Sequence, residues 1–129
     1  MIFFCIQFMN GSVVVVDDND DLLESISEFL QMKGFNILGC GHNGLEAVQL
    51  YEEYRPDVVL LDLSMPNYDG IYGLENIKKI NPNAKVIILT GHYTESNKQK
   101  IRPFNVSKIM EKPCSLKQLD LVLKSLSMA

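Results

Sequence analysis

The sequence predicts an α/β fold: a doubly wound, five-stranded parallel sheet built as (βα)5, with helices on both faces. Three observations carry this. Short apolar runs alternate strictly with stretches of helical periodicity, and strict alternation implies parallel strands joined by crossover helices. The first run, residues 12–16, is Ser-Val-Val-Val-Val, a β-branched run with no polar break. Such a run reads as a strand buried on both faces. Finally, no linker, internal repeat or low-complexity segment interrupts the 129 residues, a length that one hydrophobic core can fill.

After the first strand, Asp17, Asp18, Asn19 and Asp20 each offer a helix cap. Leu22, Leu23, Ile26, Phe29 and Leu30 then recur at helical spacing until Gly34. Residues 35–39 read as a short second strand. Residues 43–54 read as a helix with Ala47, Val48 and Tyr51 on one side, broken at Arg55-Pro56.

Residues 57–61, with Val-Val-Leu-Leu at their heart, give the third strand. A loop runs over 62–70. A helix with Leu74, Ile77 and Ile80 facing inward follows and ends at Asn81-Pro82. Residues 85–89 are the fourth strand, and 94–101 a short helix stopped near Pro103. Residues 106–110 are the fifth strand. A last helix over 115–126 is capped by Ser115 and carries Leu116, Leu119, Leu123 and Leu126 on one stripe. Right-handed crossovers leave few topologies for this order.

Apolar residues make up 47 % of the chain and charged residues 22 %, an ordinary globular balance. The net charge of −4 argues against a nucleic-acid surface, which announces itself as a basic patch. Cys5, Cys40 and Cys114 form neither a C-x-x-C pair nor a Cys/His cluster, so zinc is not expected. A reduced, cytoplasmic compartment is the natural reading. Residues 1–11 are set apart as an apolar N-terminal extension, with the domain over 12–129. The apolar run 1–9 is too short to span a bilayer and lacks the basic start of a signal peptide. An extra strand, a tail, or translation starting at Met9 would each account for it.

In an open α/β sheet, ligands bind outside the carboxyl ends of the strands. After the first strand stand Asp17 and Asp18, and after the third Asp62. Thr90 and Gly91 follow the fourth strand, and Lys112 and Pro113 the fifth. Three acids, a hydroxyl and an ammonium therefore gather on one edge. Converging carboxylates repel unless a cation offsets them, and Mg2+ favours a few carboxylates plus water and phosphate oxygens. A carboxylate can also attack phosphorus. Phosphoryl transfer needs positioning and charge neutralisation above all, which Mg2+ and one Lys supply. Taken singly, the aspartates read as helix caps or a loop acid, Thr90 as a strand-end residue and Lys112 as a solvated side chain. Their common placement at strand ends is what makes the set specific.

Four blocks stand out: Val-Val-Asp-Asp at 15–18, Leu-Asp-Leu-Ser-Met-Pro-Asn-Tyr-Asp-Gly at 61–70, Ile-Leu-Thr-Gly at 88–91 and Glu-Lys-Pro at 111–113. Through them the sequence resembles the response-regulator receiver domains of two-component signalling, in particular the single-domain, chemotaxis-regulator-like ones. The resemblance implies the flavodoxin-like strand order 2-1-3-4-5. It implies that Asp62 accepts a phosphoryl group from a sensor histidine kinase, a phosphotransfer protein or a small phosphodonor. Asp18, Asp62 and the backbone carbonyl of Ser64 would bind Mg2+, with Asp17 assisting through water. Lys112, the Thr90 hydroxyl and the Gly91 amide would hold phosphate oxygens, and Lys112-Pro113 would be cis. A downstream protein would dock on the fourth helix, fifth strand and fifth helix, with no direct nucleic-acid or membrane contact, in a monomer or weak dimer.

One position departs from the family. Receivers usually carry Tyr or Phe three residues before the lysine, and this chain has Ile109; the small Gly usual a few residues earlier is Asn105. The family's switch couples the hydroxyl at the Thr90 position to rotation of that ring, and a stiff aliphatic side chain has no comparable swing. A phosphorelay intermediate and a non-phosphorylated binding module are the neighbouring readings. An Mg2+ phosphatase would usually carry a second acid two residues after the nucleophile, where this chain has Ser64, together with a substrate cap that it lacks.

Overall fold

The computed structural model describes residues 10–127. Five strands alternate with five helices: β1 (Ser12–Val16), α1 (Asp20–Met32), β2 (Asn36–Gly41), α2 (Gly44–Tyr54), β3 (Val58–Leu61), α3 (Gly70–Ile80), β4 (Val86–Thr90), α4 (Glu95–Ile101), β5 (Lys108–Glu111) and α5 (Leu116–Ser127). All pairings are parallel, in the order β2-β1-β3-β4-β5. This is the expected sheet. The readings of residues 1–9 fall outside the described residues.

The side-chain period of two divides the core. Val14, Val16, Val59, Leu61, Val86 and Ile88 face one side, packed with Ala47 and Tyr51 of α2, Leu74 and Ile77 of α3, and Ile101 of α4. Val13, Val15, Val58, Leu60, Ile87 and Leu89 face the other, packed with Leu23, Ile26 and Leu30 of α1 and Leu119 and Leu123 of α5. Both sides of the central strands are therefore dry, which is why their sequences carry no polar break.

Helix starts follow short polar side chains. Asn19, Asn43, Asp69 and Thr94 accept the amide protons of Leu22, Glu46, Tyr72 and Asn97 respectively. Ser115 Oγ accepts that of Gln118 at 3.0 Å.

Four strands differ from their expected bounds: β3 starts at Val58 rather than residue 57, β4 covers Val86–Thr90 rather than 85–89, and β2 and β5 differ by more. β2 begins one residue later and runs on to Gly41, because a bulge at Leu38 lets Gly39, Cys40 and Gly41 pair with Val14, Val15 and Val16. Phe35 lies outside the strand yet is fully buried. β5 starts at Lys108, since Val106 is spent in a turn that bonds back to Phe104.

Candidate functional site

The strand order reverses between β1 and β3, and a crevice opens at such a point beyond the carboxyl ends. The residues just past the strands remain tied to the sheet. Asp17 N–H donates to Gly41 O at 3.0 Å, Asp62 N–H to Val16 O at 3.0 Å, and Lys112 N–H to Thr90 O at 2.9 Å. Each functional side chain thus springs from backbone fixed by the last rungs of the ladder. Beyond Asp62, the loop folds back so that Gly70 N–H reaches Leu63 O at 2.9 Å. Gly70 is required there, because a Cβ would lie 2.0 Å from the Asp62 carbonyl oxygen.

A cleft of about 290 Å³ results, lined by Asp17, Asp18, Asn19, Asp62, Ser64, Gly91, His92 and Lys112. Carboxylate oxygens of Asp17, Asp18 and Asp62 all lie within 4.8 Å of one another. Asp17 and Asp62 are buried while Asp18 is exposed. Lys112 Nζ lies 2.6 Å from Asp17 Oδ2 and 3.8 Å from Asp62 Oδ2. Asp17 Oδ1 accepts Asn19 N–H at 2.9 Å, and Asp62 Oδ1 accepts Leu63 N–H at 2.8 Å. Burial and the neighbouring Asp17 carboxylate push Asp62 above the ordinary carboxylate range; Lys112 and the Leu63 and Ser64 amides pull against that. A clustered, all-oxygen, doubly buried acid set fits a small hard cation such as Mg2+.

The structure brings together Asp17, Asp18, Asp62, Ser64, Gly91 and Lys112 as the sequence predicts, and the Lys112-Pro113 peptide is cis. Thr90 sits differently. It is fully buried at the end of β4, and its Oγ1 accepts His92 N–H at 3.0 Å. Ile109 packs on the α2–α3–α4 side of the sheet, in a groove with Tyr93 and Phe104. Sequence reasoning missed Asn19 and His92 as cleft residues. From sequence Asn19 is only one of four candidate caps, and His92 carries no signal beyond following Gly91.

A parallel α/β sheet with paired acids, a single acid and a lysine at adjacent strand ends defines a class: open α/β domains with an acidic cleft at the switch point. Residues 13–124 match the response regulator receiver domain family, and the chain belongs to it. It is 38 % identical over 80 residues to the "Chemotaxis protein CheY" of Thermotoga maritima, covering 62 % of this chain and 67 % of that one. With the CheY of Listeria monocytogenes it shares 31 % identity over 109 residues, 77 % of this chain and 92 % of the other. Among solved structures, a receiver domain protein from Clostridium thermocellum superposes with TM-score 0.83 at 28 % identity, covering 92 % and 94 % of the two chains. The CheX-CheY-BeF3-Mg+2 complex from Borrelia burgdorferi gives 0.82 at 28 %, covering 89 % and 87 %. Receiver domains of this CheY-like kind are two-component signalling proteins rather than turnover enzymes. Among the described residues, no helix is long and apolar enough to cross a membrane.

Proposed function

We propose that this domain takes a phosphoryl group onto Asp62 from phosphohistidine on a sensor histidine kinase or phosphotransfer protein, and signals by protein–protein contact. The observation that carries the reading is the clustering of the Asp17, Asp18 and Asp62 carboxylates within 4.8 Å beside the Lys112 ammonium. An Asp62 carboxylate oxygen bonds to phosphorus as the donor's P–N bond breaks, its electron pair returning to the imidazole nitrogen. Burial raises the basicity of Asp62, which favours it as a nucleophile once ionised. Lys112 pairs with a phosphoryl oxygen, and the Gly91 amide and the Thr90 hydroxyl donate to others.

Asp18, Asp62 and the Ser64 backbone carbonyl would hold Mg2+, with Asp17 assisting through water. Mg2+ would neutralise charge on the transferring group. The similarity to the Borrelia CheY, whose complex with CheX carries BeF3 and Mg+2, supports this cofactor.

Residues 12–129 form the receiver and 1–11 an extension of it. The domain works in the cytoplasm as a monomer or weak dimer. Its output surface is α4, β5 and α5, where Lys108, Glu111 and Leu121 are exposed.

Mass spectrometry after acetyl phosphate and Mg2+ treatment tests the reading. One phosphoryl group is expected on the wild type and none on Asp62→Asn. An unmodified wild type would overturn it.

A further inference from the structure

Behind Lys112 lies a second space, distinct from the acidic cleft and about 250 Å³ in volume. Its floor is buried core: Ile26 from α1, Leu89 from β4 and Leu119 from α5. Half-buried Leu22, Leu116 and Cys114 form its mouth, between α1 and α5. Among the described residues that line it, Lys112 alone is charged. The Lys112 ammonium is held on Asp17 at 2.6 Å, and Asp17 lines the cleft, not this space. What Lys112 offers the cavity is therefore its aliphatic stem.

We propose that this cavity binds a small, neutral, apolar molecule of about the size of indole. The lining selects that chemistry in three ways. A buried water needs about two to four polar partners. Apart from the weak Cys114 thiol and the engaged ammonium, the lining side chains offer none. An apolar cavity of roughly 150 Å³ already stays dry and takes benzene, and this one is larger. A charged ligand would give up its hydration with no free counter-charge to meet it.

The cavity and the cleft share Lys112, and this couples them; the coupling rests on the reading of the acid cluster as an Mg2+ site. An occupant packs against the Lys112 stem and keeps the ammonium on Asp17. A cation entering the cluster competes for that same carboxylate. A filled cavity and a Mg2+-loaded cleft therefore oppose each other, and by linkage the effect is reciprocal.

Indole titrated into the metal-free full chain, followed by amide NMR, tests the site. Saturable shifts are expected at Ile26, Leu89, Cys114, Leu116 and Leu119. Indole-2-carboxylate, of similar size but anionic, is expected to bind about tenfold or more weakly. Leu22→Trp places an indole ring of its own at the mouth and should abolish the shifts; thermal melting reports whether it folds. Saturating Mg2+ should weaken indole binding several-fold. No saturable shift, equal binding of the carboxylate, or shifts centred on exposed Leu121 instead would overturn the site, whether or not Leu22→Trp folds. Unchanged indole affinity in a chain that calorimetry shows to hold Mg2+ would overturn the coupling. A chain that binds indole but no Mg2+ would support the site and overturn the cofactor reading, and the coupling with it.

Discussion

Lys112 Nζ is bonded to Asp17, at 2.6 Å, and stands off Asp62 at 3.8 Å. The lysine therefore neutralises the acid proposed to assist Mg2+ more directly than the acid proposed to react. A cation entering the cluster must compete with this ammonium for Asp17.

Lys112→Ala should bind Mg2+ several-fold more tightly while losing about 2 kcal/mol of metal-free stability, since it leaves buried carboxylates without a counter-charge. Calorimetric titration and thermal melting, each with and without Mg2+, measure the two effects. Unchanged or weaker Mg2+ binding would show that the ammonium does not compete for Asp17.

Gly70→Ala should cost about 3 kcal/mol or more, because the new methyl meets the backbone of Asp62 and Leu63, which cannot give way without moving the acid. At Gly91 the same change meets only Lys112 Cβ at 3.9 Å, and Gly91→Ala should stay within about 0.5 kcal/mol of the wild type. Urea unfolding of both variants decides; equal costs would remove the special status of Gly70.

His42 bridges two helix starts, with Nδ1 3.1 Å from Glu46 Oε1 in α2 and Nε2 2.9 Å from Asp20 Oδ1 in α1. Glu46, helped by Asp20 and opposed by burial, raises its pKa above 6.5. A raised folded pKa means the folded chain holds the proton more tightly. The contribution is fully present below 6.5 and lost as pH rises through the folded value. His42→Gln should therefore melt below the wild type in mild acid and converge with it at higher pH. The gap stays under about 1 kcal/mol, since the pair is exposed. A gap that stays constant from about pH 5 to about pH 8 would exclude the bridge as its source.

Asp120 in α5 is only 6 % exposed; Lys124 Nζ reaches its Oδ2 at 3.1 Å, and its Oδ1 has no partner among the described residues. A half-satisfied buried acid is replaceable by an apolar residue. Asp120→Leu should leave the melting temperature unchanged or raise it, whereas Lys124→Met, which strands the acid, should cost about 1 kcal/mol. The opposite ranking in thermal melts would mean that Asp120 stabilises the fold through its charge.

The fold was legible because the signals for it are local. Val13 to Val16 and Val58 to Leu61 face both layers of core and carry no polar break, while Leu74 and Ile77 repeat at helical spacing. The acids and Lys112 were legible for a related reason: a strand end fixes which edge of the sheet its next residue joins.

The sequence by itself determined the five strand–helix units, the strand ends bearing Asp17, Asp18, Asp62, Thr90 and Lys112, and the departure at Ile109. Only the tertiary structure decided that Lys112 pairs with Asp17, 95 residues away, that Thr90 holds the His92 amide behind the cleft wall, and that β2 runs on to Gly41. Strand and helix periods are set between near neighbours along the chain. The choice of a hydrogen-bond partner depends on which elements packing brings within about 3 Å, and no local pattern encodes that distance.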